Sequence, residues 1–325
     1  MVNPPRMLSF LEVVKPDLEA VNRLIIAELG SEVQLIEEIG HYLINAGGKR
    51  LRPVVALLAA RCCGEPDDRH IALAAIIELI HTATLLHDDV VDTSEQRRGR
   101  ATANHEYGNA ASILVGDFLY SRAFQLLVRI GDMQVMRVMA DTTNTISEGE
   151  VQQLLNAGNP DLDADAYHQV IRKKTAVLFQ AAAETGALIR AATAPQTAAL
   201  RDYGLHLGIA YQLIDDVLDY RGDATTLGKN LGDDLAEGKM TLPLIHALQT
   251  ASAADARRIR TAIAGRSGDL AAIAAIVTAT GALDFTEALA RDHARQALAA
   301  LDALPETTAR IALAELAEFS VRRTF

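Results

Sequence analysis

Two acidic triplets, Asp88-Asp89-Val90-Val91-Asp92 and Asp215-Asp216-Val217-Leu218-Asp219, each close a strongly apolar run. On a helix, residues four apart share a face. Asp88 therefore projects beside Asp92, and Asp215 beside Asp219, with Asp89 and Asp216 off to one side. Like charges at that spacing destabilise a helix, and burying them costs far more unless a cation offsets them. Hard cations do so, because Mg²⁺ takes oxygen ligands, keeps several waters and is shared with substrate phosphates. Two such clusters clamp a diphosphate through bridging metal ions and stabilise it as a leaving group. One triplet alone is as readily a solvated helix end; two, each after an apolar run, are not. The other carboxylate-rich helical design, a di-iron centre, is built on Glu-x-x-His pairs instead.

The rest of the chain reads as helix. Leu18, Val21, Leu24, Ile25 and Leu29 follow the i, i+3, i+4 pattern. Residues 71–92 are more apolar than one face requires, which predicts a helix buried in a bundle. The segments 103–130, 133–157, 165–192 and 196–220 predict further helices, with four or five more beyond residue 240. Aromatic residues make up only 4% of the chain, and alternating strand patterns are hard to find. Short breaks fall at Gly47-Gly48, Gly64-Glu65-Pro66, Gly158-Asn159-Pro160 and Ala194-Pro195, and a longer loop at about Arg221–Lys239. With no linker or internal repeat, the expectation is one all-α domain over residues 1–325.

The net charge of −11 speaks against sequence-independent nucleic-acid binding, which needs a basic face. Cys62 and Cys63 are the only cysteines, and neighbours in sequence rarely pair, so a reducing compartment is expected. The N-terminus lacks the apolar core of a signal peptide. The longest stretches without Asp, Glu, Lys or Arg, Met240–Ala254 and Leu270–Leu283, fall short of the ~18 residues of a membrane span. A soluble, cytoplasmic protein without a transmembrane segment is expected.

Cations cluster near the acidic triplets. Gly47-Gly48-Lys49-Arg50-Leu51-Arg52-Pro53 puts three into a glycine-hinged turn that enters a helix, where anions are favoured. Arg97-Arg98-Gly99-Arg100 follows the first triplet, Lys173-Lys174-Thr175 lies between the two, and Lys229 and Lys239 follow the second. In this order GGKRLRP, HDDVVDTSEQRRG, the Lys-Thr pair, YQLIDDVLD and GKNLGDDLAEGK resemble the signature regions of the trans-prenyltransferase (polyprenyl synthetase) family over residues 47–239.

The resemblance implies an antiparallel helical bundle of the isoprenoid synthase type around a central cavity, in a homodimer. It implies that Asp88, Asp89, Asp92, Asp215, Asp216 and Asp219 bind Mg²⁺, two or three ions per site, together with an allylic diphosphate. Arg97, Lys174, Lys229 and Lys239 would contact that diphosphate. Lys49, Arg52, His81 and Arg98 would hold isopentenyl diphosphate, and Gln212 and Thr175 would line the reaction centre. His81, seven residues before Asp88, lies about 20° from it around a helix and so faces the same way. Arg322-Arg323 near the C-terminus is as readily a frayed tail as a cover for the second diphosphate.

The implied chemistry is ionisation, condensation and elimination, most of its rate coming from positioning and electrostatic preorganisation. Short-chain members of the family carry aromatics at the fourth or fifth position before the first aspartate. Here Thr84 and Ala83 stand there, so the tunnel should continue towards Phe124 and Leu127. The HTATLLHDDVVD segment resembles bacterial octaprenyl synthases, which implies an octaprenyl product for quinone side chains. The rival readings are a farnesyl or geranylgeranyl synthase, a non-catalytic partner subunit and a terpene cyclase. Intact triplets and cations argue against the second, and the GGKRLRP-type site argues against the third.

Overall fold

The computed structural model describes residues 9–45, 47–65, 67–97, 99–221, 232–266 and 268–323. It begins with α1 (Ser9–Glu28), α2 (Gln34–Asn45), α3 (Leu51–Cys62) and α4 (Asp68–Val91). A small hairpin follows, β1 (Gln96–Arg97) antiparallel to β2 (Arg100–Ala101), with Gln96 paired to Ala101 and Arg97 to Arg100. Then come α5 (Ala103–Tyr107), α6 (Asn109–Ile130), α7 (Met133–Asn156), α8 (Ala164–Ile171), a π-helical turn at Arg172–Ala176, and α9 (Val177–Leu188). The long α10 (Ala194–Arg221) carries the second triplet. The remainder is α11 (Asp233–Ala236), α12 (Leu242–Thr250), α13 (Ala253–Gly265), α14 (Leu270–Ala279), α15 (Ala282–Ala300) and α16 (Thr308–Arg322).

Polar caps set several helix starts. The carboxylates of Asp67, Asp132, Asp163 and Asp269 accept from the backbone N–H groups of Arg69, Gln134, Ala166 and Ala272. The expected single helix over 103–130 is broken at Gly108, whose φ of 86° is easy only for glycine. The expected break at Ala194-Pro195 comes earlier, at residues 189–193, because proline in a first helical turn forgoes an N–H that has no partner there anyway.

Two buried clusters hold the fold. The larger draws on α1, α3, α4, α6, α7, α9, α16 and the first part of α10; the smaller on α8, α12 to α15 and the second part of α10. α10 serves both, packing mainly on α15 and α9. Small residues permit this closeness. A Cβ on Gly204 would stand 2.4 Å from the carbonyl oxygen of Phe179, and one on Gly208 2.6 Å from Cα of Ala176. α4, packed mainly on α6 and α3, brings the first triplet to the same region.

Among the described residues two single helices, α4 and α6, are long and apolar enough to cross a membrane. A search for charge-free stretches passes over both, since each has charged residues within it. In α4, 61% of the apolar window is buried inside the fold, and in α6 39%.

One polar staple ties the N-terminal helices. Asp17 of α1 accepts from Arg61 of α3 at 2.7 and 3.0 Å, and His70 Nε2 of α4 lies 3.4 Å away. Burial works to raise the Asp17 pKa, but His70 and Arg61 outweigh it and hold the carboxyl at about 2. A depressed carboxyl stabilises the fold above its unfolded pKa and ceases to as pH falls through the folded value. Asp17→Ala should therefore lower stability by roughly 2 kcal/mol at neutral pH, less than a fully buried pair because Arg61 keeps contact with water. In denaturant titrations the gap from wild type should close between about pH 4 and pH 2; a gap independent of pH would contradict this.

Candidate active site

Asp88 and Asp92 of the first triplet and all three aspartates of the second line one cavity of about 660 Å³, between the two buried clusters. Asp88 sits in the last turn of α4 and Asp92 caps its C-terminus. Asp215, Asp216 and Asp219 lie in the last two turns of α10. A helix C-terminus carries partial negative charge, so both helix ends reinforce the carboxylates. Such a cavity repels a bare diphosphate and attracts cations.

Cations from other elements meet this charge. Lys174, in the π-helical turn, lies 2.7 Å from Glu150 of α7 and 3.4 Å from Asp88. Lys239 lies 2.9 Å from Asp92 and also pairs with Glu237. Opposing carboxylates raise the pKa of both lysines although burial works the other way, Asp88 leading for Lys174 and Asp234 for Lys239. The Lys174 turn approaches closely because of Gly149, where a Cβ would stand 2.8 Å from Cβ of Lys173 and 3.0 Å from N of Lys174. A π-turn at a functional side chain is a common placement.

Asp89 behaves differently from its neighbours. It is buried, 3% exposed, and its Oδ1 accepts from Arg97 Nε at 2.8 Å. Burial raises its pKa, and Arg97 only partly counters that. The hairpin thus carries Arg97 to the cavity wall and pins it on Asp89. Asp216, likewise buried, accepts from the Tyr167 hydroxyl and, at 2.8 Å, from Gln212 Nε2, while Thr175 Oγ1 donates to Gln212 Oε1 at 2.9 Å. Burial and Asp234 push Asp216 up to about 8.

Lys49, Arg52 and His81 also line this cavity. Arg52 Nη1 lies 3.1 Å from His81 Nε2. A guanidinium only donates, so His81 Nε2 accepts and its proton sits on Nδ1. Arg50, also on the lining, pairs there with Glu78 from a left-handed backbone with φ of 50°. Its ion pair fixes the Gly47–Arg52 turn against α4.

Thr84 and Leu85 line the cavity. Ala83 is fully buried and packed into the larger cluster with Leu127, while Phe124 packs against that cluster and stacks on Tyr120 at 5.7 Å. Arg98 and Lys229 lie outside the described residues.

Several lining residues had not been singled out from sequence: Glu150, Gln153 and Asn156 of α7, Tyr167, and Asp233, Asp234 and Glu237. Burial and Asp88 push Glu150 up to about 7. The doubled aspartate in GKNLGDDLAEGK and the glycine between two glutamates in SEGEV were the available signals. Among the described residues no three acidic, imidazole or thiol groups form a ready-made metal cage. The oxygen donors nevertheless suit a hard cation that keeps waters and takes the rest of its shell from a phosphate substrate. Excess buried acid, shown by the raised Glu150 and Asp216, is what such a cation relieves.

A family model described as polyprenyl synthetase matches residues 33–280. The octaprenyl diphosphate synthase of Escherichia coli (strain K12) is 49% identical over 314 residues, 96% of this chain and 97% of that protein. The all-trans-nonaprenyl-diphosphate synthase (geranyl-diphosphate specific) of Rhodobacter capsulatus is 46% identical over 317 residues, 97% of each chain. The crystal structure of polyprenyl synthase from Caulobacter crescentus CB15, complexed with calcium and isoprenyl diphosphate, is similar with a TM-score of 0.95. It is 44% identical, over 99% of this chain and 100% of that one. Paired acidic triplets at two helix ends, ringed by lysine and arginine in one helical cavity, agree with these likenesses, and the chain belongs to the polyprenyl synthetase family.

Proposed function

We propose that the protein condenses isopentenyl diphosphate with an allylic diphosphate, farnesyl diphosphate in the first instance. The product of this reading is a long-chain all-trans polyprenyl diphosphate, octaprenyl in length, destined for a quinone side chain. The observation that carries it is one cavity lined by Asp88, Asp92, Asp215, Asp216 and Asp219 together with Lys174, Lys239, Arg97, Lys49 and Arg52. One relative above is named for an octaprenyl product and the other for a nonaprenyl product; Thr84 and Ala83 support a long chain, and the likeness of the HTATLLHDDVVD segment to bacterial octaprenyl synthases supports the octaprenyl length.

In this reading Asp88, Asp92, Asp215 and Asp219, with Asp89 and Asp216 behind them, hold two or three Mg²⁺. Bound Mg²⁺ withdraws charge from the allylic diphosphate and makes it a better leaving group. Lys174, Lys239 and Arg97 offset the charge that grows on that diphosphate as its C–O bond breaks, the electron pair leaving with oxygen. Lys49, Arg52 and His81 hold isopentenyl diphosphate so that its double bond supplies the electrons of the new C–C bond. A proton then leaves the adjoining carbon for the departed diphosphate, so no side chain need act as the base, and the double bond is the nucleophile. Arg98 and Lys229 would add to the two diphosphate sites.

We read the chain as one domain acting as a homodimer in the cytoplasm. Exposed apolar side chains on α6 (Ile113, Leu114, Val128) and α7 (Val151, Leu154, Leu155) support a face for a second copy. Free, unpaired Cys62 and Cys63, whose thiols burial pushes up to about 12 and about 11, support a reducing compartment. The test is an elongation assay with farnesyl diphosphate, labelled isopentenyl diphosphate and Mg²⁺, the products dephosphorylated and sized. Octaprenol is expected; failure to elongate would sink the reading.

A further inference from the structure

The cation that faces the second triplet comes from the far end of the chain. Arg323 follows directly on α16, and its side chain is 2% exposed. Its Nη2 lies 2.6 Å from Asp215 Oδ1 and donates to the Tyr211 carbonyl oxygen at 2.8 Å. The guanidinium carbon sits 3.9 Å from the centroid of the Tyr211 ring. Three contacts thus seat one guanidinium on one turn of α10, where it lines the same cavity as the triplets. Lys174 and Lys239 pair with the first triplet, whereas Arg323 pairs with the second.

We propose that Arg323 competes with metal ions for Asp215, so that metal occupancy of the second triplet and seating of Arg323 on α10 oppose one another. This rests on the metal role of the second triplet proposed above. A guanidinium 2.6 Å from Oδ1 neutralises much of the charge that Asp215 offers a metal ion and repels a divalent cation on the same carboxylate. The Asp215 side chain is 42% exposed, so water screens that repulsion in part and the effect is a weakened affinity. A cation entering at Asp215 therefore lifts Arg323 off Tyr211 and frees the end of α16. Arg323 sets the metal concentration at which this happens, as a positioning residue that never touches the reacting carbons.

The test uses the full chain and Mn²⁺ alone, without prenyl substrate, following free Mn²⁺ by electron paramagnetic resonance. Arg323→Gln removes the charge and keeps an amide for the Tyr211 carbonyl. It should bind one Mn²⁺ about tenfold more tightly than wild type, equivalent to about 1.4 kcal/mol. Arg323→Lys keeps the charge but loses the planar fork and the stacking, and should fall between the two, about threefold tighter. Adding Asp215→Asn to Arg323→Gln should abolish the gain. Equal Mn²⁺ affinity in wild type and Arg323→Gln overturns the proposal. Should only Arg323→Lys fold, wild-type affinity in that variant overturns it equally. A chain that binds no Mn²⁺ in any of these forms fails at the metal reading beneath it, which separates the two.

Discussion

Asp88→Asn should lower kcat roughly a thousandfold, the upper range for losing one charge-stabilising group, while the protein stays folded. The substitution keeps the volume and the helix but removes one negative charge from the α4 face that lines the cavity. Lys174 loses its contact at 3.4 Å yet keeps Glu150 at 2.7 Å, so its position survives and the effect isolates the carboxylate. The KM for isopentenyl diphosphate should move little, since Lys49, Arg52 and His81, which this reading assigns to that substrate, are unchanged. Stability should hold or rise slightly, because Asp88 sits among Asp92 and Glu150, and like charges repel. Single-turnover rates and thermal melts check both halves. A variant with near-normal kcat would remove Asp88 from the chemistry.

Thr84→Phe should shorten the product to farnesyl or geranylgeranyl length while sparing the first condensation. Thr84 lies one turn below Asp88 on the cavity face, and its Oγ1 donates to the carbonyl of His81 at 2.8 Å, which leaves its methyl group on the wall. A phenyl ring there stands across the path of a prenyl tail growing away from the diphosphates. Ala83→Phe probes a different route. Ala83 is fully buried in the larger cluster, so a ring there overpacks the core, at a cost of about 1–3 kcal/mol. It should also shorten the product if the tail passes between α4 and α6. Sizing the alcohols after dephosphorylation distinguishes the two positions. An unchanged spectrum from Thr84→Phe would place the tail elsewhere.

Much of this was legible in the sequence, for a physical reason. Helical period, caps and the Asp triplets are local patterns, and local patterns survive into the fold. Thus α4 and α10 end on their triplets, and Lys49, Arg52, His81, Lys174, Gln212 and Lys239 reach one cavity. What escaped depends on contacts between distant segments. The seat of Arg323 on Asp215 joins residues 108 apart, and nothing near either announces it. The turn that presents Lys174 is π-helical because Gly149 and Gly208 let α7 and α10 close on it, a property of three elements together. The placing of Ala83 in the core and Thr84 on the wall depends on which side of α4 meets α6. Asp89 and Arg97 form a buried pair only because a hairpin, too short to show a strand pattern, folds back over α4.

The most direct test of the whole account is the length of the product made by the wild-type chain from farnesyl diphosphate and labelled isopentenyl diphosphate. With Mg²⁺ present, label should accumulate in octaprenol after dephosphorylation, and excess chelator should abolish it. Label confined to farnesol-sized or geranylgeraniol-sized alcohols, or incorporation that persists in the chelator, would contradict the account.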